Sequence, residues 1–205
     1  LDSQKSLSRP KILPRFKLIN NLAYDESKYP SVLVKLDSGV YLPKAIFSLI
    51  SQGITGLEWF AGIPATVGGA TYINLHGADK YWSDYLVEAE IIDSKNQVRT
   101  VPLAYFHYDY DQSTIKTSGD LVLSVTLELR RGPADRALAI AKFWQEKKSY
   151  QPQQSLGCIF QNLSQAEQEK LNLPTPSIGY LIDKKLGLKG VKIGQAWIPE
   201  KHAGF

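Results

Sequence analysis

The chain has 205 residues, 43% hydrophobic and 21% charged, with a formal net charge of +4 and a sequence pI of about 9.0. That composition can bury a core and excludes wholesale disorder. The basic residues are interspersed, either as a solvated surface or as an attractor of anionic nucleotides; they form no Lys/Arg stripe with interleaved aromatics, so no nucleic-acid partner is expected. The one cysteine, Cys158, excludes an internal disulfide and a cysteine-based zinc site, and no metal is expected.

Residues 1–30 carry Pro10, Pro14 and Pro30 without periodicity and read as a linker or the remnant of a missing element. Leu1–Arg15 lack the apolar run of a signal peptide. No stretch reaches the ~20 apolar residues of a membrane span. The chain starts at Leu1 and contains no Met, so it is expected to be processed or a fragment, and a fragment is favoured. Ser31–Asp37 alternates like a half-buried strand, and a helix follows from Pro43 through Ala45, Ile46, Leu49 and Ile50 to Gly53. Residues 56–79 are rich in glycine and small side chains. Strands are expected at Tyr85–Asp93, Val98–Val101 and Leu121–Arg130, making residues 31–130 mostly strand with one clear helix. Gly132-Pro133 marks a boundary. Beyond it, Ala134–Lys148 has a helical pattern, Ser164 and Glu167 form a capping box, and Ser177–Leu186 reads as a helix closed by Gly187. Val191–Ile198 reads as a strand. The fold class is α+β, in segments 1–30, 31–132 and 133–205.

The least ordinary text is Gly56-Leu57-Glu58, then Gly62-Ile63-Pro64-Ala65-Thr66-Val67-Gly68-Gly69-Ala70, then Asn74. Read from residues alone it is a tight turn or a cradle whose backbone N–H groups meet a diphosphate. It is neither a Walker loop nor the G-x-G-x-x-G fingerprint. GLEWFAGIPATVGGATYIN resembles the GLE…GIPGTVGGA…N segment of the UDP-N-acetylenolpyruvoylglucosamine reductase (MurB) family. The resemblance implies that residues 31–132 form the second FAD-binding subdomain, of vanillyl-alcohol-oxidase type. It implies FAD contacts at Gly62, Ile63, Pro64, Thr66, Val67, Gly68, Gly69 and Ala70. Ala65 stands where the family usually has Gly or Ser.

Ser155-Leu156-Gly157-Cys158-Ile159-Phe160-Gln161-Asn162 is similar to the family's S-x-G-S/C-x-F-K-N motif. A lone cysteine taken by itself is usually a small buried hydrophobe. The resemblance instead places Cys158 at the catalytic proton-donor position and Asn162 at a substrate contact. A thiol is a stronger acid than an alkanol and so is competent to protonate carbon. Gln161 replaces the family's usual Lys. Lys148, next to Lys147, is either a partner for UDP or NADPH phosphates or a cation favoured at a helix end. Ser113 matches a substrate-binding serine, but Asp111 falls where the family has an arginine. The missing cation then comes from Lys116 or Arg130, or the alignment slips, or activity is altered. The runs Ile178–Asp183, Gly187–Gly190, Gly194–Ala196 and His202–Phe205 also resemble the family, with Asp183 and His202 expected to be structural.

Taken together, the resemblance implies a cytoplasmic flavoprotein of peptidoglycan synthesis. It would use FAD and NADPH to reduce UDP-N-acetylglucosamine enolpyruvate, with residues 133–205 opening its substrate domain. The fragment alone is expected to be inactive. The alternative is a diverged, non-catalytic flavin- or nucleotide-binding relative. The sequence leaves the oligomeric state undetermined.

Overall fold

A computed structural model describes residues 22–109, 112–152, 155 and 157–205. Residues 1–21 and Asp111, with the question of its charge, lie outside them.

β1 (Ser31–Asp37) turns Val32, Val34 and Leu36 inward, as alternation requires. α1 (Leu42–Ser51) carries Pro43 in its first turn and buries Leu42, Ala45, Ile46, Leu49 and Ile50, an apolar stripe at helical spacing. β2 (Ile54–Thr55) and a 3-10 turn at Glu58–Phe60 lead to α2 (Val67–Ile73). A small antiparallel pair, β3 (His76–Gly77) and β4 (Lys80–Tyr81), precedes β5 (Leu86–Ile92) and β6 (Val98–Pro102). α3 (Ile115–Ser118) is one turn; β7 (Leu121–Arg131) and α4 (Ala134–Ser149) follow.

The main sheet is antiparallel in the order β1-β7-β5-β6, with β2 paired to the end of β7. β7 is central and places Val125, Leu127 and Leu129 fully inside. Phe60, Trp82 and Phe106 fill the same core with α1 and α2. Fully burying one such side chain contributes roughly 1.5–3 kcal/mol. Two buried polar groups there are paired in series: the Trp82 indole N–H donates to Thr71 Oγ1 at 3.0 Å, and that hydroxyl donates to Val67 O at 2.9 Å.

The glycine-rich stretch departs from expectation, since Val67–Ile73 is helical despite two glycines. Propensity loses to packing, because the helix buries Val67, Ala70 and Thr71. Gly132-Pro133 is the turn from sheet to α4. Contacts divide the chain later, between Gln145 and Glu146, because Ala137 and Ala141 pack into the sheet core.

The second unit, Glu146–Phe205, holds α5 (Gln165–Lys170), α6 (Ile178–Tyr180) continuing as a π-helical turn over Leu181–Lys185, and a hairpin of β8 (Lys192–Ile193) and β9 (Ala196–Trp197). The capping box is present: Ser164 Oγ accepts from Glu167 N, and Glu167 accepts from Ser164 N at 2.8 Å. The single strand expected over Val191–Ile198 is corrected to this hairpin. Gly194 sits at φ 60, and with Gln195 makes a two-residue turn that folds the strand onto itself.

Candidate active site

In the first unit the glycine segment begins from an anchored carboxylate. Glu58 is fully buried, accepts from Gly56 N at 2.6 Å and from the Tyr24 hydroxyl, and is held above the ordinary glutamate range by that burial. Nearby, Glu26 accepts from the Trp59 indole and the Tyr85 hydroxyl, each at 3.2 Å, and pairs with Lys80 at 3.6 Å. These bonds fix the turn that delivers Gly62, whose φ of 82 is open to glycine at no steric cost.

From Gly62 the chain returns to the β1–α1 turn. Leu42 N donates to Ala65 O at 2.9 Å, Val67 N to Val40 O at 2.9 Å and Gly68 N to Ser38 O at 2.8 Å. Thr66 caps α2, its hydroxyl accepting from Gly69 N at 3.1 Å. The N–H groups of Val67, Gly68 and Gly69 are thus committed to the protein itself. Gly68 is glycine because a Cβ there would lie 2.8 Å from Ser38 Cβ and 3.2 Å from Ser38 O.

Of the eight residues expected against FAD, Val67 and Ala70 face the core. Gly62, Ile63 and Gly68 are half-buried, and Pro64, Thr66 and Gly69 are exposed. The exposed row continues along α2 to Tyr72, with the Lys116 ammonium 5.8 Å from the ring centroid. This surface fits a flat ligand resting on Cβ-free backbone, since the nearest atom to a Cβ built on Gly69 is Thr66 Oγ1 at 3.4 Å. It fits a row of free N–H donors at 67–69 poorly. Ser113 is buried and donates its hydroxyl to Tyr72 O at 2.5 Å, which ties the segment before α3 to the end of α2. Asn74 ends α2 in the left-handed region and accepts from Ser83 N at 3.0 Å.

In the second unit Cys158 is exposed. Its sulfur would lie 3.4 Å from a Cβ built on Gly204, and Ile159 N donates to Gly204 O at 2.9 Å. Partial burial pushes the thiol up and Lys148 pulls it down; with the residue as a whole exposed, the net rise keeps it protonated near neutrality. Burial and the neighbouring Lys147 push Lys148 down. Burial and Lys148 also push His202 below the ordinary imidazole range. Asn162 accepts from Ile178 N at 3.3 Å, so its carbonyl serves the start of α6. The structure thus groups Lys148 and Cys158 electrostatically, and adds His202, which the sequence points to as structural, together with Gly204. The carboxylate Glu58 was also passed over as a functional anchor. Its signal was a charge inside the apolar run Leu57–Phe60.

No protein-family model matches the chain. A UDP-N-acetylenolpyruvoylglucosamine reductase from Chlamydia trachomatis serovar L2 is 37% identical over 159 residues, 77% of this chain and 50% of the relative. One from Chlamydia felis is 33% identical over 193 residues, 93% of this chain and 60% of the relative. The crystal structure of UDP-N-acetylenolpyruvylglucosamine reductase (MurB) from Thermus caldophilus superposes with a TM-score of 0.71 at 27% identity, covering 91% of this chain and 63% of that one. The chain therefore spans half to three-fifths of the length of these curated relatives.

Proposed function

The chain belongs to the UDP-N-acetylenolpyruvoylglucosamine reductase family, and we propose from that premise that it serves in the reduction of UDP-N-acetylglucosamine enolpyruvate to UDP-N-acetylmuramate. NADPH is the reductant and the setting is peptidoglycan synthesis in the cytoplasm, and through it cell-wall growth, cell shape and division. Among the described residues no helix is long and apolar enough to cross a membrane.

The observation that carries this reading is the exposed, Cβ-free backbone of α2 at Gly69, held in place by the half-buried Gly68 packed on Ser38 and by Val67 bonded to Val40. We assign Gly62, Ile63, Pro64, Thr66, Gly68 and Gly69 to the FAD surface; Val67 and Ala70 support it from the core. When bound, FAD supplies the hydride that NADPH provides. The Cys158 thiol, protonated at neutral pH, then gives a proton to the substrate carbon bearing the ether oxygen. Lys148 offers a cation for a substrate or NADPH phosphate, with Asn162 beside the cysteine segment as a further substrate contact. Ser113 acts from beneath the site, by holding Tyr72.

The test is substrate-dependent NADPH oxidation by the natural protein that contains this chain, purified with its flavin. A flavin absorbance band and turnover that collapses in Cys158→Ala support the proposal. A colourless protein, or a Cys158→Ala variant with undiminished turnover, sinks it.

A further inference from the structure

His202 lies outside the roles assigned above, yet its ring is built into the support of Cys158. Nδ1 accepts from Gly204 N at 3.2 Å. Gly204 in turn accepts from Ile159 N at 2.9 Å, the residue next to the cysteine. Gly204 is the contact plane between the two side chains: a Cβ there would stand 3.2 Å from His202 Cε1 and 3.4 Å from the Cys158 sulfur. The Phe205 ring packs edge-on against the imidazole, at 4.5 Å between centroids.

We infer that His202 is the positioning residue of the Cys158 thiol: as a neutral ring it clamps the 202–205 turn against the cysteine segment, and on gaining a proton it releases that clamp. The inference rests on reading Cys158 as the proton donor.

The chemistry is a change of sign at one atom. Neutral imidazole has a lone pair on Nδ1 only when its proton is on Nε2, and the Gly204 N–H selects that tautomer. Imidazolium carries a proton on Nδ1 as well. Two donors then face each other and the bond is lost. The charged groups acting on the ring favour the neutral form. Partial burial is the largest influence, the cations Lys148 at the end of α4 and Lys189 beyond α6 act with it, and a backbone hydrogen bond opposes them without reversing the shift. On the histidine's own turn, the Glu200 carboxylate is directed at Gly190. The seat is therefore firm at neutral pH and fails only on the acid side of the ordinary imidazole range. Cys158 itself titrates on the alkaline side, so the two groups bound a window of activity from opposite ends.

The experiment compares the natural holoenzyme with His202→Asn, whose side-chain oxygen accepts a hydrogen bond without titrating, and His202→Phe, which cannot accept. We expect wild-type kcat to fall on the acid limb, the limb to vanish in His202→Asn, and His202→Phe to lose on the order of 10²-fold in kcat at every pH, with KM little changed. A second readout needs no turnover. Cys158 is the one cysteine of these 205 residues, and the dithiodipyridine labelling that disappears in Cys158→Ala reports on it alone. Its labelling rate and the Gly204 amide NMR shift should both change with the His202 titration, and neither should do so in His202→Asn. An acid limb that persists in His202→Asn, or a Gly204 amide indifferent to the His202 titration, overturns the inference. Undiminished turnover in Cys158→Ala would instead remove the proton-donor reading, and the amide titration would still decide whether the clamp exists.

Discussion

Between Ser31 and Gln145, an inward row of strand side chains meets helical stripes that match it, and more than twenty apolar residues share one buried cluster. Between Glu146 and Phe205, the described residues bury only Leu173, Ile182 and Ala203 among apolar side chains. Ile193, Ile159, Phe160 and Trp197 stand more than half exposed there, around an open apolar groove of about 1200 Å³. The contrast separates two kinds of contribution. The first unit derives its order from burial, and can hold a glycine-lined surface rigid because a dense core stands behind it. The second has little buried area to draw on, so its order rests on caps, hairpin turns and clamps such as the one at Gly204.

Removing the thiol should have the largest effect and should test that division most directly. If Cys158 is the proton donor proposed above, Cys158→Ala is expected to lower kcat by roughly 10²–10⁴-fold while leaving thermal unfolding unchanged, because the side chain is exposed and adds little packing. Leu127→Ala should do the reverse. It deletes a fully buried residue from the central strand and should cost about 2–5 kcal/mol in denaturant unfolding. Its control in the second unit is Ile193→Ala, at an 80% exposed position, which should stay within about 0.5 kcal/mol. Equal losses at these two positions would erase the contrast between the units.

Gly68→Ala probes where the dense core meets the candidate site. Its methyl group would press on Ser38, with a predicted cost of about 1–3 kcal/mol and a matching fall in bound flavin per mole of protein. Glu58→Gln probes the buried anchor through pH. Burial raises the folded-state pKa of Glu58 above its unfolded value, so the folded chain holds this proton where the unfolded chain has released it. The contribution to stability is greatest below the ordinary glutamate range and is lost as pH rises through the raised value. Glu58→Gln should therefore gain on wild type between mildly acid and neutral pH in paired unfolding curves; a difference independent of pH would show that Glu58 does not titrate on folding. Apart from the Ile193 control, the smallest effect belongs to Ser164→Ala, which removes one half of the capping box and should cost about 1 kcal/mol, read as weaker amide protection in α5.

Elements governed by local rules were legible before any coordinates. β1, α1, β5, β6, β7 and α4 fall within a residue or two of their periodic patterns, and Ser164–Glu167 caps α5 as its spacing requires. The family resemblance rested on ordered motifs and agrees with the relatives. Less legible was what tertiary contact decides. The hairpin at Gly194 was hidden because eight residues of strand-like composition fit one strand or two, and only a positive φ separates these.

The amino-acid sequence alone determined where most periodic elements begin and end, because that follows from residue type and spacing along the chain; which segments to propose for a flavin and a proton donor came from their resemblance to a family. Tertiary structure alone decided which groups remain available. It shows the N–H groups of Val67 and Gly68 consumed by Val40 and Ser38, Ser113 turned to Tyr72, and the Ile159 N–H beside Cys158 bonded to Gly204 O. A hydrogen bond between residues far apart in the chain has no signature in spacing, so whether a donor is spent on the fold or kept for a ligand is settled only when the chain is folded.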